Sequence, residues 1–189
     1  KLGEGAIDAE RVALLSRSAQ IQEVERDDVA AAVRAHEEVL LLDAANVGSH
    51  EALRRLHGRS GDAEALAEVL RRLIDLRGER GETELRRQLR LELAAVSVEA
   101  LGANAAAVEV LRSVVAESPG DAKARTLLEG LVEDDDQRLA AAQTLEPLYE
   151  REGAWAKLVE ALETQLTCEI GDEARVEILS RVGDLHRDR

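Results

Sequence analysis

The most concentrated charge in the sequence is a run of four acidic residues at 133–136 (EDDD). Carboxylates in this number can attract a divalent cation or a basic partner. The run lacks the alternating ligands and the turn glycine of a calcium-binding loop. Carboxylates just ahead of a helix also accept hydrogen bonds from its first N–H groups and are favoured by the helix dipole. We therefore favour a helix-capping cluster and predict no metal site here.

The four His residues and the single Cys do not have the spacing of a catalytic or metal site. His50 and His57 are seven residues apart, about two helical turns, whereas helical metal ligands lie about one turn apart. His36 falls in an apolar stretch and His186 lies near the end of the chain, so we expect all four in the core or on the surface. Cys168 has an acidic neighbour and no adjacent basic residue, which argues against a reactive thiolate.

No motif of an enzyme or a cofactor site is present. The chain contains no G-x-S-x-G, no phosphate-binding glycine loop and no dinucleotide fingerprint. Carboxylates are abundant on predicted solvated faces, so no pair stands out as acid and base. Tyr149 and Trp155 are better explained by packing between helices than by a ligand box. We predict a protein that is not an enzyme and that binds no cofactor.

The charge balance narrows the classes of partner. The 189 residues carry 25 basic and 39 acidic side chains, a net charge of −14. Such a chain repels phosphate backbones, so we expect no nucleic-acid binding. No apolar run is long enough to span a membrane. The lone Cys excludes an internal disulfide and fits a reducing compartment, so we expect a cytoplasmic location.

Two further features of the composition concern the origin of the chain. Only three basic residues are Lys and the rest are Arg, a bias typical of GC-rich bacterial genomes. The chain contains no Met, so its first residue is not a native start. We therefore expect a fragment of a larger bacterial protein.

Helical periodicity is clearest between 139 and 172. The chain is rich in Ala, Leu, Glu and Arg, has two Pro, and lacks Phe, a composition that favours helices. Apolar residues recur at three- and four-residue steps on both sides of Gly153, which marks a turn. The first stripe contains Ala142, Leu145, Leu148 and Tyr149, and the second contains Trp155, Leu158, Leu162 and Leu166. Two short amphipathic helices joined by so tight a turn must pack antiparallel.

Similar segments recur along the chain at fixed distances. The tetrapeptide AAAV occurs at 30–33 and again at 105–108, 75 residues later. Gly61 and three apolar residues after it match Gly153 and the apolar residues Leu158, Leu162 and Leu166, at a shift of 92. The segments 11–17 (RVALLSR) and 175–181 (RVEILSR) match at a shift of 164. Repeated supersecondary units predict a stack in which each unit buries its apolar face against its neighbours.

The repeat resembles the tetratricopeptide repeat (TPR), a helix-turn-helix unit of about 34 residues. In the frame of that family, Leu145 and Tyr149 occupy the Leu and Tyr positions, Gly153 the turn Gly and Trp155 the aromatic position after it. The segment 88–121 is the other good match, through Leu91, Ala94, Val98, Gly102, Ala107, Leu111, Val114 and Pro119. Leu158 and Glu146 depart from the small residues that the family prefers.

The resemblance predicts an all-α fold, a right-handed α-solenoid of antiparallel helix pairs with about ten helices. After a frayed lead-in at 1–8, we expect a single solenoid over 9–189, with the charged loop at 77–82 as a candidate break. The predicted hairpins are 13–46, 47–80, 88–121 and 139–172, with an extra helix at 122–133 and the start of a further repeat at 173–189. Alternatively, 122–155 forms a pair and the helix roles exchange after it. Because Pro147 disrupts helical hydrogen bonding, we expect an irregular bend near 133–150.

In this family the first helix of each pair lines a concave groove that receives a peptide or a helix. The resemblance therefore implies a non-catalytic protein–protein interaction scaffold, with self-association through the solenoid ends as a further expectation. By position, the groove residues are Arg17, Glu51, Arg55, Glu92, Glu99, Gln143 and Glu150. The alternative for these residues is an ordinary solvated helix face. The alternative function is a regulatory or substrate-recruiting segment of a multidomain enzyme whose catalytic domain lies outside this chain.

Overall fold

A computed structural model describes residues 4–168 and 171–188, with side chains from 9 to 168 and from 171 to 187. Ten α-helices and no strand occur in these ranges, which confirms the all-α class and the expected number of helices. The helices are α1 (Glu4–Val24), α2 (Val29–Leu42), α3 (Val47–Ser60), α4 (Ala63–Glu79), α5 (Thr83–Glu99), α6 (Asn104–Glu117), α7 (Ala122–Leu131), α8 (Arg138–Glu152), α9 (Trp155–Thr167) and α10 (Asp172–Asp188).

Some expected segments reach beyond the described residues. Residues 1–3 of the predicted lead-in, residues 169 and 170 of the hairpin 139–172, and residue 189 of the last repeat lie outside them. Helix α1 begins at Glu4, within the segment 1–8. None of the helices in the described ranges combines the length and the apolar character that a membrane crossing requires.

Four of the helices begin at an acidic or amide side chain. Asp28, Asn46, Asp62 and Asp121 each accept a hydrogen bond from the backbone N–H three residues later, at 2.9 to 3.1 Å. These bonds satisfy N–H groups that have no partner inside the helix. These side chains therefore fix where α2, α3, α4 and α7 begin.

Two glycines and one proline define the ends and the course of the later helices. Gly61 and Gly153 end α3 and α8 with φ of 74° and 67°, a left-handed conformation that other residues rarely adopt. Pro147 lies inside α8, one turn after Gln143. Because Pro has no N–H, the Gln143 carbonyl lacks its usual donor, yet α8 continues to Glu152. The non-helical segment is 132–137, ahead of α8.

The chain divides into two compact units, Lys1–Leu89 and Arg90–Arg189. In the first unit, α1 packs on α2, α2 on α3, and α3 on α4. Leucines of α3 and α4 fill much of its interior, and Val39 of α2 is completely buried with them. The buried leucines of these two helices are Leu53, Leu56, Leu66, Leu70, Leu73 and Leu76.

One apolar cluster runs through the second unit, from Leu91 on α5 to Ile178 on α10. Leu111 of α6, Leu128 of α7, and Leu158 and Leu162 of α9 are fully buried in this cluster. Helix α8 packs against both α7 and α9 and also contacts α6. The assignment of these helices to repeat pairs between 122 and 155 stays a prediction.

Candidate binding grooves

The first unit contains a groove between α1 and α3, with a volume of about 340 Å³. Most of its lining residues have polar side chains, and we call it the α1–α3 groove. The lining residues are Ser16, Gln20, Glu23, Val24, His36, Asn46, Gly48, Ser49, Ala52 and Arg55. Because the lining mixes donors, acceptors and both signs of charge, the groove can form directed hydrogen bonds to a peptide backbone.

Ion pairs fix the helices on either side of this groove. Arg55 of α3 donates to Glu23 of α1 at 3.2 Å, and the Glu23 side chain is only 14% exposed. Four residues later in both segments, Arg59 contacts Asp27 at 2.7 Å. The groove therefore presents a negative and a positive group side by side, in an arrangement that both flanking helices hold.

Glu51 lies one turn before Arg55 on α3 and has a different set of partners. Arg77 of α4 donates to it at 3.0 Å, and Arg54 does so at the same distance. Burial alone would raise the pKa of Glu51, but these hydrogen bonds outweigh the desolvation, so its pKa lies below the usual value. Arg77 is also bound to Glu82, so Glu51 is part of a structural network joining α3 to the end of α4.

The second unit contains a larger groove, of about 580 Å³, between α6 and α8. We call it the α6–α8 groove. Its lining residues are Arg112, Val115, Ala116, Pro119, Gln143, Thr144, Pro147, Leu148 and Arg151. Apolar side chains form much of the surface, and no carboxylate is among the lining residues.

The structure distributes the predicted groove residues over four helices: Arg17 on α1, Glu51 and Arg55 on α3, Glu92 and Glu99 on α5, and Gln143 and Glu150 on α8. Arg55 lines the α1–α3 groove and Gln143 lines the α6–α8 groove. Glu150 lies 3.8 Å from Arg181 on α10. The other members of the predicted set line neither groove, and a role for the set in binding stays a prediction.

The acidic run before α8 acts as a local hydrogen-bond acceptor. Asp134 accepts from the backbone N–H groups of Asp136 and Gln137 at 3.1 and 2.9 Å, and from the Asn104 side chain at 2.7 Å. Asp135 pairs with Arg138 at 2.8 Å. The carboxylates therefore organise the turn that leads into α8. Helix α8 itself begins after Gln137 without a side-chain cap, so the predicted capping of this helix by the acidic run is wrong. No group of three or more potential metal ligands occurs among the described residues.

Three histidines are buried in the first unit, and two of them stabilise the junction of α2 and α3. His36 Nδ1 lies 3.2 Å from Ser49 Oγ, and His50 Nε2 lies 3.1 Å from the Ala44 carbonyl. Burial lowers the pKa of His36, with the nearby Glu23 carboxylate opposing that shift. A neutral ring can accept from Ser49, so His36 acts as a core residue at the floor of the α1–α3 groove.

Tyr149 and Lys157 meet at one carboxylate and connect three helices. The Tyr149 hydroxyl donates to Glu129 of α7 at 2.8 Å, and Lys157 of α9 contacts the same oxygen at 2.7 Å. Burial and the Glu129 carboxylate raise the pKa of Tyr149. The ring is 4% exposed, and Trp155 packs against the same core, so both aromatics serve packing between helices as predicted.

Comparison with solved structures identifies the fold. A MamA double mutant matches with a TM-score of 0.51 at 18% sequence identity, covering 94% of this chain and 95% of that chain. The fold is a TPR-like helical repeat. The predicted resemblance is thereby confirmed at the level of the fold.

Two other solved structures give lower scores. One is a putative kinesin light chain from Podosopora anserina with nearly identical TPR-like repeats, at a TM-score of 0.45, 18% identity and coverage of 94% and 93%. A crystal structure of MamA protein gives 0.38 at 18% identity, with coverage of 84% and 92%. No family model matches the chain. The search of curated proteins gives no match either.

Sequence reasoning placed only Gln143 at the α6–α8 groove of this TPR-like chain and missed its other lining residues. The family frame placed candidate residues only on the helices predicted to come first in each pair, so Arg112 and the Pro119 turn were not considered. Pro147 was the available signal, because a proline inside an otherwise regular helix leaves a carbonyl without its donor. Its position beside Gln143 marks one wall of the groove.

Proposed function

We propose that this chain is a non-catalytic protein–protein interaction scaffold that binds a peptide or helix of a partner protein in the α1–α3 groove. The observation that carries the proposal is the pairing of Glu23 and Arg55 inside a polar groove of about 340 Å³. A TPR-like fold is consistent with this use, since stacked helices create such grooves without loops.

The groove suits an extended or helical segment with its own donors and acceptors. The side chains of Ser16 and Gln20 lie along its lining, and amide and hydroxyl groups can pair with either end of a backbone peptide unit. The Glu23–Arg55 pair supplies direction, because a partner with its own charges is oriented by fixed neighbouring charges of opposite sign.

A charge exchange tests this function with little change to the protein itself. Glu23→Arg combined with Arg55→Glu keeps the net charge and an ion pair between α1 and α3, but reverses the polarity that a partner meets. The matched control is Glu68→Arg combined with Arg71→Glu, which exchanges an exposed pair on α4 that lies 3.3 Å apart, outside the groove.

The assay is affinity capture from a lysate of the source cell on three baits: the unaltered chain, the groove exchange and the α4 exchange. Helicity of each bait is checked by circular dichroism. We expect a partner that the unaltered chain and the α4 exchange both retain and the groove exchange loses. Equal recovery of that partner on all three baits would show that it binds elsewhere, and the assignment to the α1–α3 groove would be wrong.

A further inference from the structure

The α6–α8 groove differs in charge from the protein that surrounds it. The chain carries 39 acidic and 25 basic residues, yet the ionisable residues lining this groove are Arg112 and Arg151 alone. Another groove in the same unit, of about 460 Å³, differs in charge, since Glu133, Glu160 and Glu163 line it with a single basic residue, Arg138. The α6–α8 groove is therefore a basic, partly apolar site in an acidic protein.

Both guanidinium groups are available to a ligand. Arg151 lies exposed in the last turn of α8, and the described residues provide no ion-pair partner for it. Arg112 contacts Glu109, one turn earlier on α6, at 2.8 Å, with the two side chains 48% and 69% exposed. An exposed pair at this spacing is weak and exchanges readily for a carboxylate held in the groove.

Much of the surface between the two arginines is apolar. Val115 and Leu148 close the bottom, and Ala116, Pro119 and Pro147 line the sides. The Gln143 carbonyl, which Pro147 deprives of its helical donor, adds a hydrogen-bond acceptor on the same face. The groove thus offers two cationic groups, an apolar surface between them, and the polar side chains of Gln143 and Thr144.

We propose that the α6–α8 groove is a second docking site, for an acidic amphipathic segment of a partner protein. Carboxylates of the segment pair with Arg112 and Arg151, and its apolar side chains cover Pro119 and Pro147 above the Val115–Leu148 floor. The site lies in the second unit and shares no residue with the α1–α3 groove, so each site can be tested without the other.

A peptide fits these features better than a nucleic acid does. A polyanion gains from many cationic contacts along its backbone, whereas this groove provides two. The net charge of −14 repels a phosphate backbone over the rest of the surface. An amphipathic segment needs only the two contacts, because burial of its apolar side chains supplies the remaining free energy.

The test measures binding of defined probes to the full chain by fluorescence anisotropy at low salt. The first probe is a labelled amphipathic peptide of about four helical turns, with Leu on one face and Glu beside it. The comparison probes carry Lys in place of Glu, or Ser in place of Leu, and a short oligothymidylate represents the nucleic-acid class. The protein variants are Arg151→Glu and Ala116→Glu, both at exposed positions. The matched control is Arg72→Glu, an equal charge change at an exposed residue of α4.

We expect the Leu/Glu peptide to bind the unaltered chain and the Arg72→Glu control alike, and to lose affinity about fivefold or more with Arg151→Glu and with Ala116→Glu. The Leu/Lys and Ser/Glu peptides should bind more weakly than the Leu/Glu peptide. Equal binding of the Leu/Lys peptide, or of the oligothymidylate, would overturn the proposed chemistry. So would equal affinities for the Arg151→Glu and Arg72→Glu proteins.

Sedimentation of the unliganded chain tests whether a second copy of this chain occupies the α6–α8 groove. Self-association that Arg151→Glu abolishes would make a second copy of this chain the occupant and would overturn the proposal of a separate partner. Equal sedimentation of the Arg151→Glu and Arg72→Glu proteins would support a separate partner as the occupant. Neither result depends on the α1–α3 groove, so failure here leaves the proposed scaffold function standing.

Discussion

Two helices that share a similar seven-residue segment bury different positions of it, and this contrast gives a quantitative prediction. The segment RVALLSR lies in α1 and RVEILSR lies in α10. Leu14 of α1 is 64% exposed, whereas its counterpart Ile178 in α10 is 8% exposed. The next position reverses the order: Leu15 is partly buried, and its counterpart Leu179 is 54% exposed. Helix α1 packs on α2, which follows it, and α10 packs on α9, which precedes it.

The magnitudes follow from burial. Truncating Leu or Ile to Ala removes three carbons, worth about 2.4 kcal/mol when fully buried, at about 0.8 kcal/mol per carbon. Scaled by burial, Ile178→Ala costs about 2.2 kcal/mol and Leu179→Ala about 1.1 kcal/mol. The buried site also leaves a cavity, which raises the cost at Ile178 to about 2–3 kcal/mol. We therefore expect Ile178→Ala to destabilise the second unit at least twice as much as Leu179→Ala.

Urea unfolding followed by Trp155 fluorescence measures this difference. Trp155 is the only Trp in the chain and begins α9, the helix on which α10 packs. For α1, amide hydrogen exchange should show that Leu15→Ala loosens the helix more than Leu14→Ala does. If Leu179→Ala costs as much as Ile178→Ala, the outer face of α10 is covered in solution and the 54% exposure of Leu179 does not hold there. An unfolding midpoint that also depends on protein concentration would show that a second copy of the chain packs on this face.

Three other substitutions test the local arguments. Gly58→Ala in the interior of α3 should stabilise the first unit by about 0.5–1 kcal/mol, while Gly61→Ala should destabilise it by about 1 kcal/mol. Both positions are open to solvent space and only Gly61 has a positive φ; equal effects in urea unfolding would contradict the conformational argument. Asp62→Ala removes the cap of α4 and should cost about 1 kcal/mol, with the loss of exchange protection concentrated in the first turn of α4. Burial would raise the pKa of Glu129, but its hydrogen bonds lower it below the unfolded value, so its contribution to stability is present above about pH 4.3 and is lost as the pH falls through the folded pKa. Glu129→Gln should therefore flatten the acid side of the stability profile measured by Trp155 fluorescence, and an unchanged profile would refute this assignment.

Local features of the fold were accessible from sequence because they depend on neighbours in the chain. An Asp just ahead of a helical pattern caps it whatever the helix packs on, as at Asp28 and Asp121. A Gly after the last apolar position ends the helix, as at Gly153. Apolar residues at three- and four-residue steps showed which helices are amphipathic and that each needs neighbours.

The two grooves could be predicted from the sequence only in part. The family frame placed Arg55 on a groove, but it also selected Glu51, which the structure shows bound to Arg54 and Arg77. Long-range ion pairs join residues that are distant in sequence, so spacing along one helix does not reveal them. For the same reason the spacing along either helix does not show that Arg112 and Arg151 line one surface, the α6–α8 groove.

The segment shared by α1 and α10 shows that the sequence of a helix does not specify which of its apolar residues is buried. By itself, the sequence determined that both helices are amphipathic, with apolar side chains at two adjacent positions. Those positions are about 100° apart around a helix, so they serve two different neighbours. The tertiary structure decided which position is buried. Leu15 is the more buried position in α1, which packs on α2, and Ile178 is the more buried position in α10, which packs on α9. Burial is a property of the contact between helices, and a single helix cannot specify which of its faces receives that contact.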